Sequence, residues 1–209
     1  MSDRMLPDDV TDDPTILAIH LRPEWKELPA DGRDAWVEET AAGFDIDDEA
    51  RLRLSRSLEA AVRNLDALAP GSRRSFALVV APELGRVDAV LSVRYSQVTQ
   101  DAYANYLAAA RAVTSTETVE LLNRKVEEVL VPAGPAVVVS DILVPARTGA
   151  FAPAATERAF LAVFPEGWAT AMDFTYLSQN LGALDDAAEY LVGIASGQNP
   201  ALRGTEDAS

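Results

Sequence analysis

The sequence has no cysteine, one histidine and only two lysines among its 18 basic residues. The absence of cysteine excludes disulfides, thiolate zinc sites, iron–sulfur clusters, a cysteine nucleophile and a lipobox cysteine. No stretch approaches the roughly 20 apolar residues of a membrane helix, and the N-terminus lacks the apolar core of a secretory signal. We therefore expect a cytoplasmic protein that binds no membrane.

Basic residues are few relative to acidic ones. The 209 residues include 33 Asp and Glu against 18 Lys and Arg, so the formal net charge is −15. Nucleic acids and anionic membranes are bound through a basic patch that displaces counterions, so neither is expected as a ligand. An acidic chain attracts cations instead. The expected partner is another protein with a basic segment.

Familiar catalytic and cofactor motifs are also missing. The sequence contains no G-x-x-x-x-G-K-[ST], G-x-G-x-x-G or G-x-S-x-G motif. The spacing of Asp45, Asp47 and Glu49 resembles a calcium loop, but Ala50 stands where the EF-hand needs glycine. His20 is the one histidine available to a Ser-His-Asp triad, and its place in an apolar run favours a structural role. We predict no catalytic residue, no metal site and no cofactor.

Apolar residues at helical spacing predict four helices, between residues 31 and 44, 45 and 68, 101 and 113, and 185 and 197. Aspartate side chains accept hydrogen bonds from the free N–H groups of a first helical turn. We therefore expect Asp31 to cap the first helix, Asp47 the second, and Asp185 or Asp186 the last.

Alternating and β-branched runs predict strands at 15–21, 75–81, 87–98, 136–143, 158–164 and 168–177. The second and third should form an antiparallel hairpin, as should the last two. Residues 116–131 are ambiguous, but their β-branched content favours a hairpin that turns near Asn123. The expected fold is α+β, a twisted antiparallel sheet of about six strands with helices mainly on one face and the other face partly open.

Composition divides the chain into three parts. Residues 1–13 contain five aspartates and few apolar side chains, which predicts a disordered acidic tail. Residues 14–197 are expected to form a single α+β domain, since no low-complexity linker or repeat interrupts them. Residues 198–209 are expected to be a loose C-terminal tail.

Two short segments carry a resemblance to a known family. They are Leu21-Arg22-Pro23-Glu24-Trp25 and the strand–turn–strand segment around Leu130-Val131-Pro132-Ala133-Gly134-Pro135-Ala136-Val137, which is followed by two further strands and a closing helix. Over roughly residues 15–197 this order resembles the PsbP-like α+β superfamily. That superfamily includes a photosystem II extrinsic subunit, a yeast Ran-binding factor, secretion-effector chaperones and many actinobacterial proteins. Since its members mostly bind proteins and share no catalytic residues, the resemblance implies a binding module and assigns no site.

Four large aromatic residues are the candidate binding residues. Trp25 follows a proline and Trp168 follows a Pro-Glu-Gly turn, while Tyr95 and Tyr176 lie in predicted strands. Near strand ends such rings can rim a groove, so we predict a groove bordered by these four side chains. Packing in the core is the alternative role for each of them.

Together these features predict a non-enzymatic protein-binding or chaperone-like accessory module that uses an open sheet face and an acidic surface. Two alternatives remain open. One is an enzyme with a carboxylate and tyrosine site in a pocket between sheet and helices, which a deep pocket with a raised carboxylate pKa would favour. The other is a structural or homo-oligomeric component of a secretion apparatus or virion, which an exposed strand edge or apolar patch would favour.

Overall fold

The structure is a computed structural model and describes residues 19–68, 74–145, 155–200 and 202. These residues form an open antiparallel sheet of seven strands in the order β1-β2-β3-β7-β6-β5-β4. The strands are β1 (Trp25–Leu28), β2 (Arg74–Leu78), β3 (Ala89–Gln97), β4 (Val119–Val131), β5 (Gly134–Pro145), β6 (Thr156–Val163) and β7 (Thr170–Ser178). The helices are α1 (Arg33–Ala42), α2 (Asp48–Leu68), α3 (Ala102–Ala112) and α4 (Ala187–Ala195). The α+β class and the antiparallel sheet are confirmed, with seven strands in place of about six.

Three of these helices pack on one face of the sheet. Helices α1 and α2 cover β1, β2 and β3 there, and α3 covers β4 and β5. The opposite face, which we call the α4 face, carries α4 over β5, β6 and β7. Its core includes Leu91, Leu161 and Phe174, all almost completely buried. None of the described helices is long and apolar enough to cross a membrane.

Two of the three predicted hairpins and two of the three predicted caps are confirmed. Strand β2 pairs with β3, and β6 with β7, both antiparallel. The Asp47 carboxylate accepts the N–H of Ala50 at 2.7 Å at the start of α2, and Asp186 caps α4. The prediction for α1 is wrong, because its N-cap is Gly32 and no side chain bonds there. Gly32 has φ of 72° at this position, a backbone conformation that glycine adopts readily, and its N-cap position has no side chain to bond the free N–H groups.

Residues 116–131 do not form a hairpin. They contain one long strand, β4, which pairs with β5 on both sides of Asn123. The register shifts between Leu122 and Lys125, and Asn123 has φ of 52°. Asparagine tolerates positive φ, so the chain absorbs one extra residue as a β-bulge and continues. The signal that predicted a turn at Asn123 marks this bulge.

Both ends of the domain differ from the prediction. Residues 19–21 are not in a strand and His20 is exposed, so a structural role for His20 inside a buried strand is wrong. The chain turns here instead, with the N–H of Trp25 bonded to the Arg22 carbonyl at 3.0 Å. At the other end Leu202 is buried in the core, and Arg22 donates to the Pro200 carbonyl at 3.1 Å. The predicted acidic tail 1–13, residues 15–18, and 203–209 lie outside the described residues.

Candidate functional site

A cleft of about 250 Å³ lies on the α4 face where the N-terminal end of α4 meets strands β4, β5 and β6. We call it the acidic groove. Its lining residues are Asn123, Lys125, Ser140, Asp141, Ile142, Glu157, Arg158, Asp185, Asp186 and Ala187. Helix α4 packs mainly on β6 and makes little contact with β4, so the groove opens between the start of α4 and that edge of the sheet.

The strand register places the floor of the groove. Glu157 is the second residue of β6 and lies opposite Ile142 of β5. Ser140 of β5 lies opposite Lys125 of β4, just beyond the bulge. Since residues two apart in a strand share a face, Ser140 and Ile142 present their side chains to the same side of the sheet. The extra residue of the bulge shifts the register of β4, and as a result the side chain of Lys125 faces the groove.

Glu157 is the most unusual side chain in the groove. It is half-buried, and its Oε2 atom is buried without a hydrogen bond from any described group. Burial, and then the negative charge of Asp186, raise the pKa of Glu157. A buried acceptor without a donor is costly, and more so when it carries a charge. This carboxylate therefore favours a donor with positive charge.

Two further carboxylates stand on the α4 side of the groove. Asp186 accepts the N–H groups of Ala188 at 2.9 Å and Glu189 at 3.0 Å through one oxygen, Oδ1. Asp185 and Asp186 are both exposed. With Glu157, these residues make one wall of the groove acidic.

The positive charges of the groove are unequally available. Asp141 is buried between two arginines and accepts hydrogen bonds from Arg124 and, at 2.7 Å, from Nε of Arg158. Both guanidinium groups are mostly buried. Asp141 and Arg158 alternate with Ile142 and Glu157 along their strands, so this ion pair lies on the opposite face of the sheet and adds no free charge to the groove. Lys125 is exposed at the outer margin. Carboxylates therefore outnumber the mobile cations that line the groove.

A tyrosine lies beside Glu157 beneath α4. Ala159 pairs with Tyr176 and Glu157 pairs with Ser178, so Glu157 and Tyr176 are diagonal neighbours on the α4 face. Tyr176 is completely buried. Burial first, and then the charge of Glu157, raise the pKa of Tyr176 well above its ordinary value. A carboxyl and a phenol are thus adjacent between the sheet and a helix.

The four aromatic residues predicted to border a groove are separated by the fold. Trp25 and Tyr176 are buried in the core. Tyr95 is half-buried, while Trp168 is 36% exposed in the turn between β6 and β7. The N–H of Val98 bonds to the Ala169 carbonyl at 2.9 Å, so Tyr95 and Trp168 lie at the same end of the sheet. That end is the one away from the acidic groove, and the four side chains do not line one groove.

The residues that make the acidic groove had weak signals in the sequence. Asp185 and Asp186 were expected as helix caps, and Asp186 is one. Glu157 lies in an ordinary charged start of a strand, Thr156-Glu157-Arg158. It is buried because the start of α4, almost 30 residues later, packs near it. No local pattern reports such a contact.

A second cleft, of about 290 Å³, lies between α2 and the sheet and has a different character. Its carboxylate, Asp88, is buried and fully engaged. It accepts hydrogen bonds from the Val80 N–H at 2.9 Å, from Arg86 at 3.0 Å and from Asn180 at 2.9 Å. Asp88 therefore serves to hold the β2–β3 connection to the end of β7, and this cleft has no carboxylate left without donors among its described lining residues.

Comparison with known proteins adds no assignment. No protein-family model matches the sequence, and a search of curated proteins finds no match.

Proposed function

We propose that the protein is a non-enzymatic protein-binding or chaperone-like accessory module whose acidic groove takes a lysine or arginine side chain from a basic segment of its partner. The observation that carries this proposal is the buried Oε2 atom of Glu157, which receives no hydrogen bond from any described group. We also infer membership of the PsbP-like superfamily and a cytoplasmic location, in keeping with a protein-binding role.

The chemistry of Glu157 favours a cationic side chain. An ammonium or guanidinium group brings both the missing N–H donor and a positive charge, and such charge-assisted bonds are roughly twice as strong as neutral ones. Ile142, half-buried in the groove, offers an apolar surface to the methylene stem of a long basic side chain. A lysine or arginine side chain can therefore make both contacts at once, with its charged end on Glu157 and its methylene stem on Ile142.

The charge of the rest of the protein supports the same ligand. The net charge is −15, and residues 31–49 alone hold eight acidic residues and one basic residue. Such a field raises the rate at which cationic partners are encountered, and salt weakens it. The whole surface therefore attracts a basic segment, while the acidic groove provides the specific contact.

Binding of a capped hexalysine peptide tests the proposal. We compare the wild type with Glu157→Gln, and use Glu59→Gln as a control. Glu59 lies on α2, on the other face, and its 3.8 Å ion pair with Arg63 is exposed. Both variants lose one negative charge. Glu157→Gln should weaken binding by about tenfold or more, since a hydrogen bond to a charged group contributes about 1.5–3 kcal/mol, while Glu59→Gln should change it less than about twofold.

Two results would overturn the proposal. One is an equal loss of affinity in both variants, which would mean that hexalysine responds only to overall charge. The other is equal affinity for hexalysine and a capped hexaglutamate peptide. Titration calorimetry at two salt concentrations separates the contact in the groove from long-range attraction, because screening affects exposed charges most.

An enzyme with a carboxylate and tyrosine site is the second candidate, and the position of Glu157 diagonally next to Tyr176 favours it. A carboxyl with raised pKa keeps its proton to higher pH than an ordinary glutamate does, and can transfer it. Tyr176→Phe distinguishes the two functions, because Tyr176 does not line the acidic groove. In a binding module this variant keeps hexalysine affinity. A compound that the wild type converts, and Tyr176→Phe and Glu157→Gln do not, would establish the enzyme.

A further inference from the structure

Strand β4 forms one edge of the described sheet, and part of this edge is open. Near its start the chain covers its own edge. Thr116 donates its N–H to the Val119 carbonyl at 2.8 Å, and Leu121 donates its N–H to Ser115 Oγ at 2.9 Å. Beyond the bulge at Asn123 no such cover is present in the part of the chain that the structure describes. Leu130, near the end of β4, is 80% exposed.

The backbone groups that face outward follow from the pairing. Phe164 donates its N–H to the Pro135 carbonyl at 2.9 Å, so Pro135 points from β5 toward β6. By the alternation of antiparallel strands, Val137 and Val139 also point toward β6. Their partners on β4 are Glu128 and Val126. The N–H and C=O groups of Glu128 and Val126 therefore point away from β5, toward the open edge.

The side chains that flank Val126 carry opposite charges. Lys125 and Glu127 are two residues apart, so both project on the α4 face. Both are exposed, and neither takes part in an ion pair among the described residues. The free backbone groups of an edge strand can pair with another strand. The two charges restrict which strand, and which register, can approach this edge.

We propose that a second copy of the chain pairs with this edge, antiparallel, around a two-fold axis at Val126. In that register Lys125 lies opposite Glu127 of the other copy, and Glu127 opposite Lys125. These are positions without backbone hydrogen bonds, where opposed Cα atoms are only about 4.5 Å apart and side chains approach closely. The two sheets then become one continuous sheet.

Charge selects this register over its neighbours. A two-fold axis moved to Lys125 would place Lys125 opposite its own copy, and one moved to Glu127 would place two glutamates opposite each other. Like charges directly opposite are unfavourable, whereas the register at Val126 makes two attractive pairs. The pattern is thus complementary to itself, which a symmetric interface requires. For this reason the occupant is a second copy rather than an unrelated extended peptide.

Charge-reversal variants test the proposal in the full-length protein. Lys125→Glu and Glu127→Lys are each compared with the wild type by sedimentation equilibrium, at about 0.15 M salt, where the Debye length is about 8 Å and the repulsion between two acidic chains is screened. We expect twice the chain mass of 22.4 kDa for the wild type. Each single variant should dimerise at least about tenfold more weakly, because two attractive pairs become two repulsive ones.

Mixing is the decisive control. Lys125→Glu has glutamate at both positions and Glu127→Lys has lysine at both, so an equimolar mixture restores two attractive pairs and should form a heterodimer. The double variant Lys125→Glu/Glu127→Lys should dimerise like the wild type. Far-ultraviolet circular dichroism checks that each variant is folded.

A monomeric wild type, a dimer that neither single variant weakens, or a mixture that stays monomeric would overturn the proposal. If the wild type is monomeric and still binds hexalysine, the dimer proposal is overturned while the proposed function of the acidic groove is retained.

Discussion

The indole Nε1 of Trp25 donates a hydrogen bond of 2.7 Å to the hydroxyl of Tyr190. The bond joins the edge strand β1 to helix α4 across 165 positions of the chain. Both side chains are buried, and their rings lie 6.2 Å apart. Burial raises the pKa of Tyr190 to about 12, so its hydroxyl keeps its proton at neutral pH. This pair therefore ties the first strand of the sheet to the helix that covers the α4 face.

Tyr190→Phe should lower the free energy of unfolding by about 1–2 kcal/mol, because the buried Trp25 N–H loses its acceptor. Trp25→Phe removes the donor and also leaves space in the core. The double variant should lose less stability than the sum of the two single variants, since the second change removes a group that is already unpaired. Urea denaturation of all four proteins measures this coupling. Strict additivity would contradict the bond.

Asp141→Asn should destabilise the protein far more than the loss of an exposed carboxylate. Asp141 is the shared partner of Arg124 and Arg158, and its side chain is completely buried. Breaking a buried ion pair leaves uncompensated charge and costs about 3–5 kcal/mol. The exposed pair of Glu59 with Arg63 offers the comparison. Glu59→Gln should cost less than about 1 kcal/mol. Equal midpoints of thermal unfolding for the two variants would be inconsistent with this role for Asp141.

Asp186→Ala should shorten or destabilise α4 and cost about 1 kcal/mol, since it removes the acceptor for the N–H groups of Ala188 and Glu189. Asp101→Ala is the matched control, because Asp101 occupies the N-cap of α3 without making a side-chain bond. Its cost should be clearly smaller. Guanidinium denaturation of both variants measures the two losses of stability. Equal losses would mean that the hydrogen bonds of Asp186 contribute nothing beyond having an aspartate at the N-cap.

The titration of Glu157 should contribute to the pH dependence of the free energy of unfolding. Its pKa is raised in the folded protein, so its contribution to stability is fully present below the unfolded value of about 4.3 and is lost as pH rises through the folded pKa. Glutamine in its place does not titrate. Relative to wild type, Glu157→Gln should therefore gain stability as pH rises through that window. A difference that is constant from pH 3 to 7, measured by urea denaturation, would contradict the raised pKa.

Local patterns were sufficient where neighbouring residues decide the structure. Asp47 and Asp186 could be identified as caps because a cap bonds to N–H groups two or three residues along the chain. The hairpin of β6 and β7 was equally clear from the Pro165-Glu166-Gly167 turn between two strands. Asn123 was predicted as the turn of a hairpin and is a bulge within one strand, because asparagine with positive φ suits both. Only the pairing partner distinguishes them.

The candidate site was much less accessible to prediction. An aromatic ring near a strand end suits a core or a groove equally well, so the burial of Trp25 and Tyr176 was not decided by their neighbours. Glu157 resembles any exposed strand glutamate until α4 packs beside it. Burial in the folded chain is the main cause of its raised pKa, and the charge of Asp186, which is distant in the chain, adds to it.

The sequence by itself determined the α+β class, the four helices, two hairpins and the strongly acidic charge, because these depend on composition and short-range periodicity. The tertiary structure alone decided the strand order, in which β3 pairs with β7 across about 80 residues, and with it which strand became the open edge. Long-range pairing depends on the fit of whole faces rather than on local preference. For the same reason the acidic groove and the free edge of β4 exist only in the folded chain.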